Sequence, residues 1–82
     1  IYYTMITTLN KLKLDNTATI YNLNCENQMR RRLQDLGIIK GAKITPRLNS
    51  PSGNLVAYDI KGSLLAIRND DSKNIEIELI LK

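Results

Sequence analysis

A mostly β fold, a small antiparallel barrel of about five short strands with one α-helix inserted after the first, is predicted by three observations. Only one segment of the 82-residue chain carries a helical stripe: Met29, Leu33 and Leu36 recur at i, i+4 and i+7 within Asn24 to Gly41. Everything after Gly41 divides into short runs of alternating or β-branched residues separated by turn signals. Finally, a sheet this narrow encloses a core only by bending, and closing a barrel removes exposed edges.

Each element has its own justification. Ile1 to Thr4 lacks the basic flank and apolar run of a signal peptide, and Met5 offers a natural start, so residues 1–4 read as a leader outside a single domain spanning 5–82. Leu9, Leu12 and Leu14 mark a lead-in too short for a stable helix and suited to plug one end of the core. Asp15-Asn16 signals a turn. Thr17 to Leu23 then alternates as the first strand, Ala18, Ile20 and Asn22 against Thr19, Tyr21 and Leu23.

For the helix, Asn24 is the expected N-cap and Glu26 the acid that favours its positive end. At its other end Gly37 can take the left-handed conformation, with Ile38 following to close a Schellman motif onto Leu33. Lys40-Gly41 reads as a tight turn into a strand over Ala42 to Asn49, with Ala42, Ile44, Pro46 and Leu48 on one face. Pro46 has no N–H and implies an edge or a bulge. NSPSGN over Asn49 to Asn54 is a loop, Leu55 to Ile60 a strand, Lys61-Gly62 a hairpin turn and Ser63 to Arg68 the return. Asn69 to Asn74 is polar enough for a single 3₁₀ turn. Ile75 to Leu81 alternates, with Ile75, Ile77 and Leu79 inward and Glu76 and Glu78 outward. Of the barrels these pieces can build, an SH3-like one fits ahead of an open sheet crossed by a helix.

Chemistry is harder to find. The chain has no His, and Cys25 is its one cysteine, which removes an internal disulfide and suits a reducing compartment such as the cytoplasm. Without His or a CxxC spacing, ferrous iron lacks its usual ligands, and Asp59, Asp70, Asp71, Glu76 and Glu78 read as solvated acids, so neither a metal site nor a cofactor is expected. No nucleophile is paired with a base, and the glycines at 37, 41, 53 and 62 are isolated turn residues and not a phosphate cradle, so neither an enzyme nor a small-molecule substrate is expected. No apolar run is long enough for membrane insertion.

The net charge of +4 is partly local, in Arg30, Arg31 and Arg32. Three consecutive helical residues fan over about 200° and do not share one narrow ridge, so plain solvation competes with a functional patch. Nucleic acid is disfavoured because only Tyr21 and Tyr58 supply aromatics within the domain. The sharper expectation is a shallow docking patch where the helix meets the Pro51 loop and the Pro46 edge strand, flanked by Arg30, Arg31, Lys43 and Arg47, for an acidic or amphipathic partner. Weak self-association through the Pro46 edge is a further possibility. Leu33, Leu36, Ile38, Leu64 and Ile67 are assigned to the core, with Gly37, Gly41 and Gly62 at turns.

RRLQDLGIIKGAKI from Arg31 to Ile44, SPSGN from Ser50 to Asn54 and VAYDIKGSLLAIR from Val56 to Arg68 together resemble the FeoA family, over about Leu9 to Leu79. The family pattern stands here at Arg32, Leu33, Leu36, Gly37, Gly41, Pro51, Gly62, Ala66, Ile67 and Arg68. Asn16 departs from it, replacing a common Gly with another residue that tolerates the turn. The resemblance implies an SH3-like, non-enzymatic cytosolic component of bacterial ferrous iron uptake that acts on the FeoB transporter and its cytosolic G-protein domain. Similar modules occur in metal-dependent repressors of the DtxR type, which leaves a repressor module or a small basic nucleic-acid-binding barrel as alternatives.

Overall fold

Alternating apolar residues and the turns between them set the order of elements. The computed structural model describes residues 3–81: β1 (Tyr3–Thr8), a 3₁₀ turn (Leu9–Lys11), β2 (Ala18–Leu23), α1 (Asn27–Asp35), β3 (Lys43–Asn49), β4 (Leu55–Ile60), β5 (Ser63–Arg68), α2 (Asn69–Ser72) and β6 (Ile75–Leu81). The strands form one antiparallel sheet in the order β1-β6-β2-β3-β4-β5. The fold is mostly β with one principal helix, as expected, but with six strands and no closure, since β1 and β5 stay at opposite edges.

The sixth strand comes from the segment partly set aside as a leader. Tyr3 and Thr4 pair with Leu81 and Ile80, and the ladder runs on to Thr8 opposite Glu76. The helix therefore follows the second strand and not the first. The same expectation for Ile1 and Tyr2 lies outside the described residues. Leu9, in the 3₁₀ turn, is fully buried, which is the plug expected of the lead-in. The 3₁₀ turn expected within Asn69 to Asn74 is instead one turn of α-helix.

Two bulges correct the predicted faces. The register of β2 against β6 shifts between Ile20 and Asn22, so Leu23 turns inward with Ala18 and Ile20 while Asn22 is exposed. In β3 the register against β4 shifts between Pro46 and Leu48. Pro46 is buried, and Leu48, assigned to the same face, is left 62% exposed. A bulge places two residues opposite one, so every side chain beyond it changes face. Pro46 thus sits at a bulge inside the sheet. Its carbonyl accepts from the Asp15 amide at 2.7 Å, and β3 lies between β2 and β4 and is not an edge strand.

The core gathers Leu9, Ile20, Ile38, Ile44, Ile75 and Ile77, all essentially without solvent contact. Each such side chain contributes about 1.5–3 kcal/mol through its burial. Tyr58 also lies in the core, and burial of its ring, partly offset by a hydrogen bond with Ser72, raises its phenol above the ordinary tyrosine range.

Candidate functional site

Helix α1 begins later than its caps suggested. Its N-cap is Glu26, without a side-chain capping bond, because the Asn24 Oδ1 accepts from Asn22 Nδ2 at 2.8 Å. The stop is as expected. The Ile38 amide donates to the Leu33 carbonyl at 2.9 Å and the Gly37 amide to Gln34 at 3.0 Å, with Gly37 at φ +97°, which is the Schellman pair. This lock fixes how far α1 extends and drives Ile38 into the core. Leu36, the C-cap just before the reversal, is left 54% exposed and is not the core residue it was expected to be.

That exposure helps form a groove. Met29 and Leu33 of α1 and Leu36 at its C-cap line a groove of about 400 Å³ with Leu65 and Ile67 of β5 and with Leu55. The helical stripe thus does two jobs: Leu33 packs inward while Met29 and Leu36 line the opening. Arg32 of α1, Arg68 of β5 and Asp71 also line it. Leu64, also assigned to the core, lies on the outward face of β5 and is 64% exposed. Among the described residues β5 is an edge strand, and its residues 65–68 line the groove.

The Pro51 loop adjoins this groove through Leu55 and Arg68, which also line a surface shared with Ser52, Asn54 and Asn69. It is fastened there by two bonds, from the Asn69 amide to the Asn54 carbonyl at 2.9 Å and from Asn69 Nδ2 to the Gly53 carbonyl at 2.6 Å. Pro51 itself is exposed.

The other residues proposed for docking have different surroundings. Arg30 turns back, its Nη2 donating to the carbonyls of Leu23 at 3.3 Å and Cys25 at 3.2 Å. Arg47 is held between Asp15 at 3.2 Å and Asp59 at 3.5 Å. Lys43 is exposed opposite Thr19 of β2, and Arg31 is exposed on α1 beside Arg32. The basic residues at the groove are Arg32 and Arg68, which the sequence reading did not single out for docking. Thirty-six positions separate them, and only the fold brings them together. Among the described residues no three of His, Cys, Asp and Glu cluster as metal ligands would.

A six-stranded antiparallel sheet with one principal helix defines a small SH3-like β-domain. Residues 7–79 match the model of the FeoA domain. A candidate Fe(2+) transport protein A of Campylobacter jejuni is 33% identical over 73 residues, covering 89% of this chain and 99% of the relative. The chain belongs to the FeoA family, which serves ferrous iron transport.

Solved structures agree. The solution structure of FeoA from Chlorobium tepidum superposes with a TM-score of 0.82 at 31% identity, over 87% of this chain and 68% of the other. A zinc complex of FeoA from Stenotrophomonas maltophilia, described as a prokaryotic SH3 domain protein, gives 0.71 at 24% over 87% and 88%. A manganese-dependent transcriptional repressor shares the fold alone, with a TM-score of 0.81 at 14% identity over 93% of this chain and 41% of its own.

Proposed function

We propose that this chain is a non-enzymatic accessory protein of bacterial ferrous iron uptake that works in the cytoplasm by docking on a FeoB-type transporter. Iron is the cargo of the system and not a group this chain needs to hold. The carrying observation is the open groove between α1 and β5, which is lined by the exposed Leu36 and Leu55 together with Arg32 and Arg68. An apolar strip with charged flanks is the usual anatomy of a protein interface, with apolar anchors central and charge at the rim. The Pro51 loop borders the strip, while Arg31 and Lys43 contribute to the wider basic surface. The family's role in ferrous iron transport supplies the partner class.

Calorimetric titration of the purified chain into the full transporter in lipid, with and without guanine nucleotide, tests this reading. Saturable binding that weakens when Leu36 is replaced by Ser is the expected result. No interaction at high micromolar concentration in either nucleotide condition overturns it. A repressor-module reading has the shared fold alone behind it. The nucleic-acid reading is weakened because Arg30 and Arg47 are engaged within the chain.

A further inference from the structure

We propose that the β5 edge takes up an extended partner segment in which apolar residues alternate with carboxylates, so that it adds as a further antiparallel or parallel strand while half its side chains enter the α1 groove. The proposal rests on the docking reading above and names the chemistry of the docked segment.

Three observations carry it. First, β5 is an unguarded edge. Its ladder to β4 is continuous from Ser63 opposite Ile60 to Arg68 opposite Leu55, without a bulge, and Ser63 to Ile67 includes neither proline nor a charge. Edge strands are ordinarily blunted by such devices, because their free N–H and C=O groups template another strand. Second, four consecutive residues of that strand, Leu65 to Arg68, line the groove. A strand laid along β5 would place alternate side chains on the face of Leu65 and Ile67 and the remainder on the exposed face that carries Leu64, Ala66 and Arg68, where its carboxylates would stand, since successive residues of a strand point to opposite faces. Backbone bonds would then give affinity and the groove would select the side chains.

Third, charge selects the occupant. Arg32 and Arg68 both line the groove, and neither forms an ion pair among the described residues, whereas Arg47 is already held by two carboxylates. Asp71 is the only acid on the groove wall, so the wall is net basic. Arginine offers a fork of donors matched to a carboxylate. A second copy of this chain fits poorly, because each brings a net charge of +4 and its own Arg68 to the same edge. The opposite edge strand, β1, is YTMITT and has no charge with which to choose a partner.

The test uses the isotopically labelled chain and three short capped peptides: valine alternating with glutamate, valine alternating with lysine, and the glutamate peptide with two adjacent central amides N-methylated. With the glutamate peptide at low salt, amide shifts are expected at Ser63 to Arg68 and along the Met29 to Leu36 face. Affinity is expected to fall about tenfold or more for the lysine peptide, for the N-methylated peptide and for the Arg32→Glu/Arg68→Glu double variant. The N-methylated arm needs no change in the protein, so it reads strand addition even if a variant folds poorly.

Absence of shifts at millimolar peptide, equal binding of all three peptides, shifts centred on Tyr3 to Thr8, or dimerisation of the chain through β5 would each overturn the proposal. The two readings fail separately. Transporter binding that excess glutamate peptide does not displace sinks strand addition and leaves docking standing. Peptide binding without transporter binding does the reverse.

Discussion

The guanidinium of Arg30 reaches back from α1 to the carbonyl of Leu23, 3.3 Å away, and the same Nη2 also donates to the carbonyl of Cys25 at 3.2 Å. The first side chain in a run of three arginines thereby fastens the end of β2 to the helix that follows it. Hydrogen bonds from a charged donor contribute more than neutral ones, and removing the donor strands two carbonyls. Arg30→Ala is therefore expected to lower unfolding free energy in urea by about 1–2 kcal/mol. Arg31→Ala, on the exposed face, is expected to stay within about 0.5 kcal/mol.

Gly37 closes the helix in a conformation that other residues adopt only with strain. A Cβ there would meet Ile60 Cγ2 at 3.6 Å, an ordinary contact, so the penalty comes from φ +97° and not from crowding. Gly37→Ala is expected to destabilise the fold by about 1–2 kcal/mol, and Gly37→Asn by less, because Asn tolerates the left-handed region. Thermal unfolding of the two variants side by side checks the ranking.

Leu33 and Leu36 separate core from surface within one helical stripe. Leu33 is 5% exposed, and Leu33→Ala is expected to cost about 2–5 kcal/mol through lost burial and the cavity left behind. Leu36→Ser is expected to change stability by less than about 1 kcal/mol while weakening partner binding. Denaturation and binding measured on the same two variants distinguish the roles. A large stability loss at Leu36 would contradict its exposure.

Tyr58 makes stability depend on pH at the alkaline end. Burial, countered in part by Ser72, raises its folded pKa above the ordinary value of 10.0. Above that value the unfolded chain loses the phenolic proton while the folded chain keeps it, so the unfolded state binds fewer protons and stability falls as pH rises. This contribution is complete below pH 10 and is lost between the unfolded and folded pKa values. The stability difference between the native chain and Tyr58→Phe, followed by urea denaturation from pH 8 to 11, is expected to stay flat up to about pH 10 and then to shift in favour of the variant.

Strands β4, β5 and β6 could be read at their observed limits because Lys61-Gly62 and the polar tract at 69–74 bracket them with unambiguous turn chemistry. The helix end was equally legible, since Gly37 and Ile38 carry the whole motif in adjacent positions. What local pattern hid was the two bulges, which invert Leu23 and Leu48. Alternation says which residues share a face only while the register holds. Strand β1 escaped because its ladder partner, β6, lies at the far end of the chain. The groove was half visible: Met29, Leu33 and Leu36 announced an apolar stripe, but nothing local showed that Leu36 would stay uncovered. That Arg32 and Arg68 line one groove follows only from the folded topology.

The β1 and β6 ladder, with Tyr3 opposite Leu81, bears on how the molecule yields to force. Its hydrogen bonds run across the strands, so tension applied between those two residues loads the rungs one after another and never all together. Such a seam peels from its tip at low load, and Leu9 and Ile77 would be uncovered only after the outer rungs have parted.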